Sequence, residues 1–240
     1  MPKSKLIGVP KFQQGDQSFY SFDQSFNGLL IDEKFVELYI ECTQKCGVTL
    51  SGKVPPKLYK TYAIYQILTS IKASSMQSSF CSAEFGVFKG VTSSLITKIL
   101  KNPDQHYIFD SFEGLSKPTK EDVEGSINPA SGGEMSPNFE HIQNLFPNST
   151  LQKCWIPSQL KRVDALFDFV HIDLDLYDPI LGALEYTIDK VNPGGVVVVD
   201  DYNNRWPGCI QAIREHLSKY QNLYGLHYAT LFGNYILIRK

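Results

Sequence analysis

The stretch FVHIDLDLYDP (169–179) sets Asp173, Asp175 and Asp178 directly after an apolar run that ends in Ile172. Burying an unpaired charge is costly. The run, read as a buried strand, must therefore stop here, with its acids either solvated or facing a cation. A second apolar run, PGGVVVVDDY (193–202), ends in Asp200 and Asp201. If the two strands are neighbours, Asp173, Asp200 and Asp201 converge on one edge of a sheet. Two such charges about 4 Å apart repel by roughly 4 kcal/mol at an effective dielectric near 20. Three together call for a cation. All-oxygen donors with no cysteine nearby favour a hard divalent ion such as Mg²⁺, with Mn²⁺ and Ca²⁺ as alternatives. The plainer reading, acids pointing separately to water from two strand ends, stays open.

A second constellation is AEFGVFKGVTS (83–93). A strand ends at Glu84, Gly86 permits a close backbone turn, and Gly90 opens the next helix, so a ligand could approach the main chain there. Asp110 ends the following strand, where doubly wound folds place an acid on a ribose hydroxyl pair. Glu84 and Asp110, at two adjacent strand ends, fit a nucleoside ligand, with Ser111 beside the ribose as a secondary candidate. A third glycine is missing, which argues against a dinucleotide pyrophosphate.

These residues need a scaffold, and the patterning supplies one. Short apolar runs at 79–86, 106–112, 150–156, 166–173 and 195–202 alternate with amphipathic stretches near 90–101, 138–146, 158–164, 179–190 and 208–220. That alternation predicts βαβ units, an α/β fold and a mostly parallel sheet. LHYATLF and YILIRK, separated by Gly233-Asn234, read as a C-terminal antiparallel hairpin. Two helices, over 33–45 and 57–73, are expected to pack over the main domain after an irregular, aromatic-rich lead-in at 1–30. Residues 1–75 read as a helical lead-in or lid and 76–240 as the main domain. The Gly/Pro/Ser-rich loop at 113–137 is too long for a simple connector and is a candidate lid.

Composition narrows the partners. The 240 residues carry 23 Lys+Arg against 25 Asp+Glu, a formal net charge of −2, so no basic field recruits nucleic acid or acidic lipid. No stretch approaches a membrane span or a signal peptide. Five scattered cysteines without a CxxC pair read as reduced packing residues of a cytoplasmic protein. Homo-oligomerisation is left open.

Glu84-x-Gly86-x-x-x-Gly90, DSFEGL (110–115), HIDLDLY (171–177) and PGGVVVVDDY (193–202) together resemble the macrocin O-methyltransferase family, in family order and spacing from about 80 to 220. The resemblance implies the class I methyltransferase fold with its Rossmann-like sheet and S-adenosylmethionine as cofactor. It also implies Mg²⁺ held by Asp173, Asp200 and Asp201, and a hydroxylated small-molecule acceptor, most simply a sugar moiety of a natural product. Trp155 matches a family tryptophan near the adenine, although its neighbours, CWIPSQL (154–160), depart from the family's Gly-Trp-Phe. Methyl transfer from a sulfonium needs an aligned and activated acceptor oxygen. Asp175 is the candidate general base, and His141, on the helix after the long loop, is a second catalytic candidate. His171 is expected to point away from Asp173 as a packed core residue. Arg205 and Trp206 could grip a hydroxylated ring or lie in a surface loop.

Two alternatives accompany this reading, a catechol-type O-methyltransferase and a non-catalytic nucleoside-binding module. Glycosyltransferase and phosphatase readings of the Asp-x-Asp fail on position, because too little chain follows Asp175 for an acceptor half or a phosphatase core. Tyr186 and Lys190 imitate a short-chain dehydrogenase pair but sit where a satisfied surface pair is expected.

Overall fold

In a computed structural model the described residues are 32–49, 57–74, 79–123 and 135–240. The lead-in at 1–30 and residues 124–134 of the long loop lie outside them. Seven strands form one sheet: β1 (Ser82–Phe85), β2 (His106–Asp110), β3 (Thr150–Lys153), β4 (Phe167–Ile172), β5 (Val191–Val199), β6 (Tyr224–Ala229) and β7 (Tyr235–Arg239). Their order is β3-β2-β1-β4-β5-β7-β6. The first five pair in parallel, and β7 inserts antiparallel between β5 and β6. The expected C-terminal hairpin is therefore present.

Strand order reverses between β1 and β4, and doubly wound sheets open a crevice at such a switch point. Both strands are covered on both faces, which is why their sequences run apolar with little alternation. Phe85, Phe109, Ile172 and Val199 meet Ile180 and Ala183 of α6 (Tyr177–Thr187) and Ala212 of α7 (Pro207–Tyr220). On the opposite face, Phe169, Val196 and Val198 meet Leu95 and Ile96 of α3 (Val91–Leu100). The same cluster takes Cys42 from α1 (Glu33–Lys45) and Ile64 and Leu68 from α2 (Lys57–Ser74). The two N-terminal helices thus share the sheet's own core. Two shorter helices, α4 (Lys120–Val123) and α5 (Phe139–Leu145), lie between β2 and β3.

The differences from the sequence reading have local causes. Strands β1, β2, β4 and β5 end at Phe85, Asp110, Ile172 and Val199. Asp173, Asp200 and Asp201 therefore lie just past the strands rather than within them. No helix forms over 158–164. There Gln159 Oε1 accepts from Trp155 N at 3.1 Å, and Gln152 Oε1 accepts from Lys161 N at 2.9 Å, which ties the segment into a loop. Tyr186 is buried rather than superficial. Its hydroxyl accepts from Val163 N at 3.0 Å while Lys190 donates to Val163 O at 2.6 Å, so the pair anchors a loop.

Candidate active site

The backbone ladder runs one residue beyond several strands and then breaks. Gly86 N donates to Phe109 O (2.9 Å), Asp173 N to Phe85 O (2.8 Å) and Asp200 N to Ile172 O (2.8 Å). Beyond those bonds the chain turns sharply. Phe88, Phe112, Asp175 and Asp201, each just past a different strand, adopt positive φ between 45° and 61°. For residues with a Cβ this conformation costs roughly 1–2 kcal/mol each. The strain is concentrated at one edge of the sheet. Gly86 (φ 87°) sits at the switch point itself. A Cβ there would come within 2.0 Å of Asp173 O, so only glycine lets β1 and β4 approach this closely.

An open cleft lies along this edge. Gly86, Asp110, Ser111 and Trp155 line it together with Asp173 and Asp175, Gly86 lying directly against the Asp173 backbone. Asp110 is aimed by the main chain, its carboxylate accepting from Val87 N (2.8 Å) and Phe112 N (2.7 Å). Burial raises its carboxyl above the ordinary range, against the lowering effect of those backbone bonds. Ser111 Oγ is committed to its own turn, donating to Gly114 O at 3.0 Å and accepting from Glu113 N at 3.1 Å.

Several candidates belong elsewhere. Glu84 does not line the cleft. It is 1% exposed, and its carboxylate accepts from Ser93 Oγ and meets His171 Nδ1 at 2.9 Å. Alternation along β1 sends Glu84 to the face opposite Ala83 and Phe85. Gly90 is the left-handed N-cap of α3, and a Cβ on it would lie 2.8 Å from the Phe146 ring. Its smallness makes room for the Phe146 ring. His141 is exposed on α5, because Ile142 and Phe146 take the buried side, and it does not line the cleft. Arg205 is exposed and lies over the half-buried Trp206 ring, which packs on the core of the sheet; neither lines the cleft.

The acid edge is more elaborate than expected. Ligand oxygens of Asp173, Asp175 and Asp201 lie within 4.8 Å of one another. Asp173 also groups within 4.8 Å with Asp200 and with a ring nitrogen of His171. Asp173 is thus common to two sets, and the expected trio of Asp173, Asp200 and Asp201 is split between them. His171 faces the same side as Asp173, as two residues along one strand direction require; the expectation that it points away is wrong. Asn234 Nδ2 donates to Asp200 Oδ1 at 3.0 Å. The Lys60 ammonium from α2 pairs with Asp201 Oδ1 and lies 3.1 Å from Asp200 Oδ1.

Burial, followed by the charges of Asp173 and Asp201, pushes the Asp200 carboxyl up to about 6. Burial also raises Glu84, while burial of His171 is outweighed by its bond to Glu84 and the charges of Glu84, Asp173 and Asp200. Both members of the Glu84–His171 pair are thus shifted upward. Three carboxylates with oxygens this close fit a hard divalent ion. The lysine drawn between Asp200 and Asp201 displays the same demand for positive charge.

Sequence reasoning missed Lys60, Asn234 and Asp122. Lys60 reaches the acids from α2, far upstream in the chain, and Asn234 reaches them from the β6–β7 turn, so spacing carries no signal for either. Asp122 accepts from Tyr177 N (2.8 Å) and Thr119 N (2.8 Å), fastening the start of the long loop to the N-terminus of α6. Its only sequence cue was an acid in a short KEDV turn.

Residues 63–227 match the family model described as macrocin-O-methyltransferase. The 8-demethyl-8-(2,3-dimethoxy-alpha-L-rhamnosyl)-tetracenomycin-C 4'-O-methyltransferase of Streptomyces olivaceus is 25% identical over 158 residues. That alignment covers 60% of this chain and 58% of the relative. Mycinamicin III 3''-O-methyltransferase of Micromonospora griseorubida is 25% identical over 60% of this chain and 61% of its own length. The chain thus spans about three fifths of the curated relatives it matches. Among solved structures, the O-methyltransferase NovP superposes with a TM-score of 0.64 at 20% identity, covering 76% of this chain and 80% of that one. CalS11, a calicheamicin methyltransferase, gives 0.59 at 17% identity over 88% and 94%. These likenesses establish a class I methyltransferase fold.

Proposed function

This chain belongs to the macrocin O-methyltransferase family, and from that membership we propose that it methylates a hydroxyl of a small molecule, a sugar moiety of a natural product, using S-adenosylmethionine and a divalent ion, Mg²⁺ or Mn²⁺. The observation that carries this reading is the single cleft joining Gly86, Asp110 and Trp155 to Asp173 and Asp175. Candidate cofactor residues and acids lining one cleft are what methyl transfer to a hydroxyl requires. The description of the Streptomyces relative names a rhamnosyl compound, and that of the Micromonospora relative names mycinamicin III, a natural product.

Asp110, fixed by two main-chain donors, takes the ribose hydroxyls, with Ser111 beside it and Trp155 walling the adenine end. S-adenosylmethionine, when bound, supplies the electrophilic methyl group. Asp173 and Asp201 hold the ion, with Asp200 behind them braced by Asn234. The ion, when bound, supplies Lewis acidity and a template for adjacent acceptor oxygens. Asp175, which lines the cleft and has a left-handed backbone, would take the acceptor's proton. None of the described helices is long and apolar enough to cross a membrane.

The test is a panel of glycosylated and catechol-type acceptors incubated with methyl-labelled S-adenosylmethionine, with and without EDTA. Label should pass to a sugar hydroxyl and stop on chelation. Asp175→Asn should keep Mn²⁺ affinity while losing turnover; an equal loss of Mn²⁺ affinity would place Asp175 on the ion with Asp173 and Asp201, with which it groups. Label on catechols alone would move the acceptor to the phenol class. Tight S-adenosylhomocysteine binding with no transfer to any acceptor would leave a nucleoside-binding module.

A further inference from the structure

The acid edge already holds a cation that the chain itself supplies. Lys60 lies in the first turns of α2 and extends to the end of β5, where Nζ pairs with Asp201 Oδ1 and sits 3.1 Å from Asp200 Oδ1. The ion pair is enclosed: the side chains of Lys60, Asp200 and Asp201 are 16%, 5% and 11% exposed. The stem of the lysine passes the β6–β7 turn, where a Cβ on Gly233 would lie 3.6 Å from Lys60 Cε. The preceding residue, Tyr59, stacks on Phe232 of that same turn with ring centroids 5.4 Å apart. The lysine is thus seated by its helix and is not a surface side chain that happens to lean on an acid.

Asp201 is where two demands collide. Its carboxylate groups with Asp173 and Asp175 in a set able to hold a metal ion, and it also takes the ammonium. A hard divalent ion bonds carboxylate oxygen at about 2.0–2.6 Å. Nζ on Asp201 Oδ1 occupies the space beside that oxygen, and two cations at such range repel strongly in an enclosed site. The lysine is the partner able to yield, because its charge rides on a flexible four-carbon stem and can reach water without moving the helix. Another buried group marks the edge as incompletely satisfied by the lysine alone. His171 Nε2 has no hydrogen-bond partner among the described residues, and a ring nitrogen of this residue lies within 4.8 Å of Asp173 and Asp200 oxygens.

We propose that Lys60 is a resident counter-ion, holding the acid edge together in the ion-free protein and expelled when the divalent ion binds. The inference rests on the proposed use of a divalent ion at this edge. Its consequence is that ion affinity is set by a lysine from α2 as well as by the acids, and that ion binding frees an amine beside the β6–β7 turn.

Two measurements on the full chain test it, both with S-adenosylhomocysteine present and neither reading turnover. In the unaltered protein, acetylation of the Lys60 amine by acetic anhydride, followed by mass spectrometry, should accelerate severalfold when Mg²⁺ is added. In Mn²⁺ titrations followed by electron paramagnetic resonance, Lys60→Met should bind about tenfold more tightly than wild type. Lys60→Arg, which keeps the charge, should stay near wild type. Lys98→Met, which removes an exposed pair with Glu41, should also stay near wild type. If Mn²⁺ binds wild type but Lys60→Met binds no more tightly, and the acetylation rate ignores Mg²⁺, the counter-ion role is overturned while the ion itself stands. If none of these proteins binds Mn²⁺, the divalent-ion reading falls and the counter-ion proposal falls with it.

Discussion

Asp110 and Glu84 are acids of adjacent strands, yet the sheet gives them opposite employment. Asp110 ends β2 with its carboxylate fixed by Val87 N and Phe112 N and open to the cleft. Glu84, one strand over, points through the sheet to Ser93 and His171. Their substitutions should separate cleanly in calorimetry with S-adenosylhomocysteine. Asp110→Ala should weaken binding by about tenfold or more, the scale of losing a hydrogen bond to a charged group. Glu84→Gln should leave affinity within about twofold, yet lower unfolding free energy by about 1–3 kcal/mol because a buried hydrogen-bonded pair is disturbed. If Glu84→Gln abolished binding in a protein of normal stability, Glu84 would return to the cofactor site.

At the scale of elements, the two glycines of one motif do different jobs. Gly86 lets β1 and β4 close on each other at the switch point, with no room for a Cβ beside Asp173 O. Gly90 lets α3 begin against the Phe146 ring beyond the end of α5. Gly90→Ala should therefore cost about 1–3 kcal/mol of stability, from overpacking and a left-handed backbone. Its cofactor affinity should stay near wild type wherever the variant is folded. Gly86→Ala should lose both, since its Cβ would displace the backbone of Asp173. Urea unfolding alongside cofactor titration reads the two effects, and equal loss of affinity in both variants would merge the roles that the packing separates. The long loop follows the same logic at its start. Asp122 ties α4 to the first residue of α6, and a Cβ on Gly208 of α7 would fall 1.8 Å from Asp122 Oδ1. That attachment holds the near end of the loop beside the cleft, where Gly114, Leu115 and Ser116 form part of the wall.

For the whole molecule, acid sensitivity should come in part from a histidine far from the cleft. His216 on α7 is fully buried, with Nε2 2.6 Å from the Tyr224 hydroxyl. Burial, aided by Lys219, lowers its pKa from the ordinary 6.5 to about 4. A depressed histidine is neutral in the folded protein where the unfolded chain would already be protonated. Its contribution is therefore complete above about pH 6.5 and is lost as the pH falls toward 4. That interval corresponds to roughly 3 kcal/mol. Urea unfolding at pH 7 and pH 4 should show wild type losing about this much more than His216→Phe. Parallel losses in the two proteins would mean that other groups carry the acid transition.

The alternation of apolar runs and amphipathic stretches sufficed for the α/β class, the parallel strands and the final hairpin, because periodicity reports which faces are buried. The types of residue at strand ends, Gly86, Asp110, Asp173 and Asp201, were legible for a related reason: a charge or a glycine after an apolar run has few other uses. The tertiary structure alone decided direction and company. Strand order and twist determine that Asp110 faces the cleft and Glu84 does not, that His141 faces solvent, and that His171 shares a side with Asp173. Lys60 and Asn234 converge on Asp200 from opposite ends of the chain. Nothing in local spacing records partners so remote along the sequence; only closure of the sheet, with α2 packed over it, brings that charge to the acids.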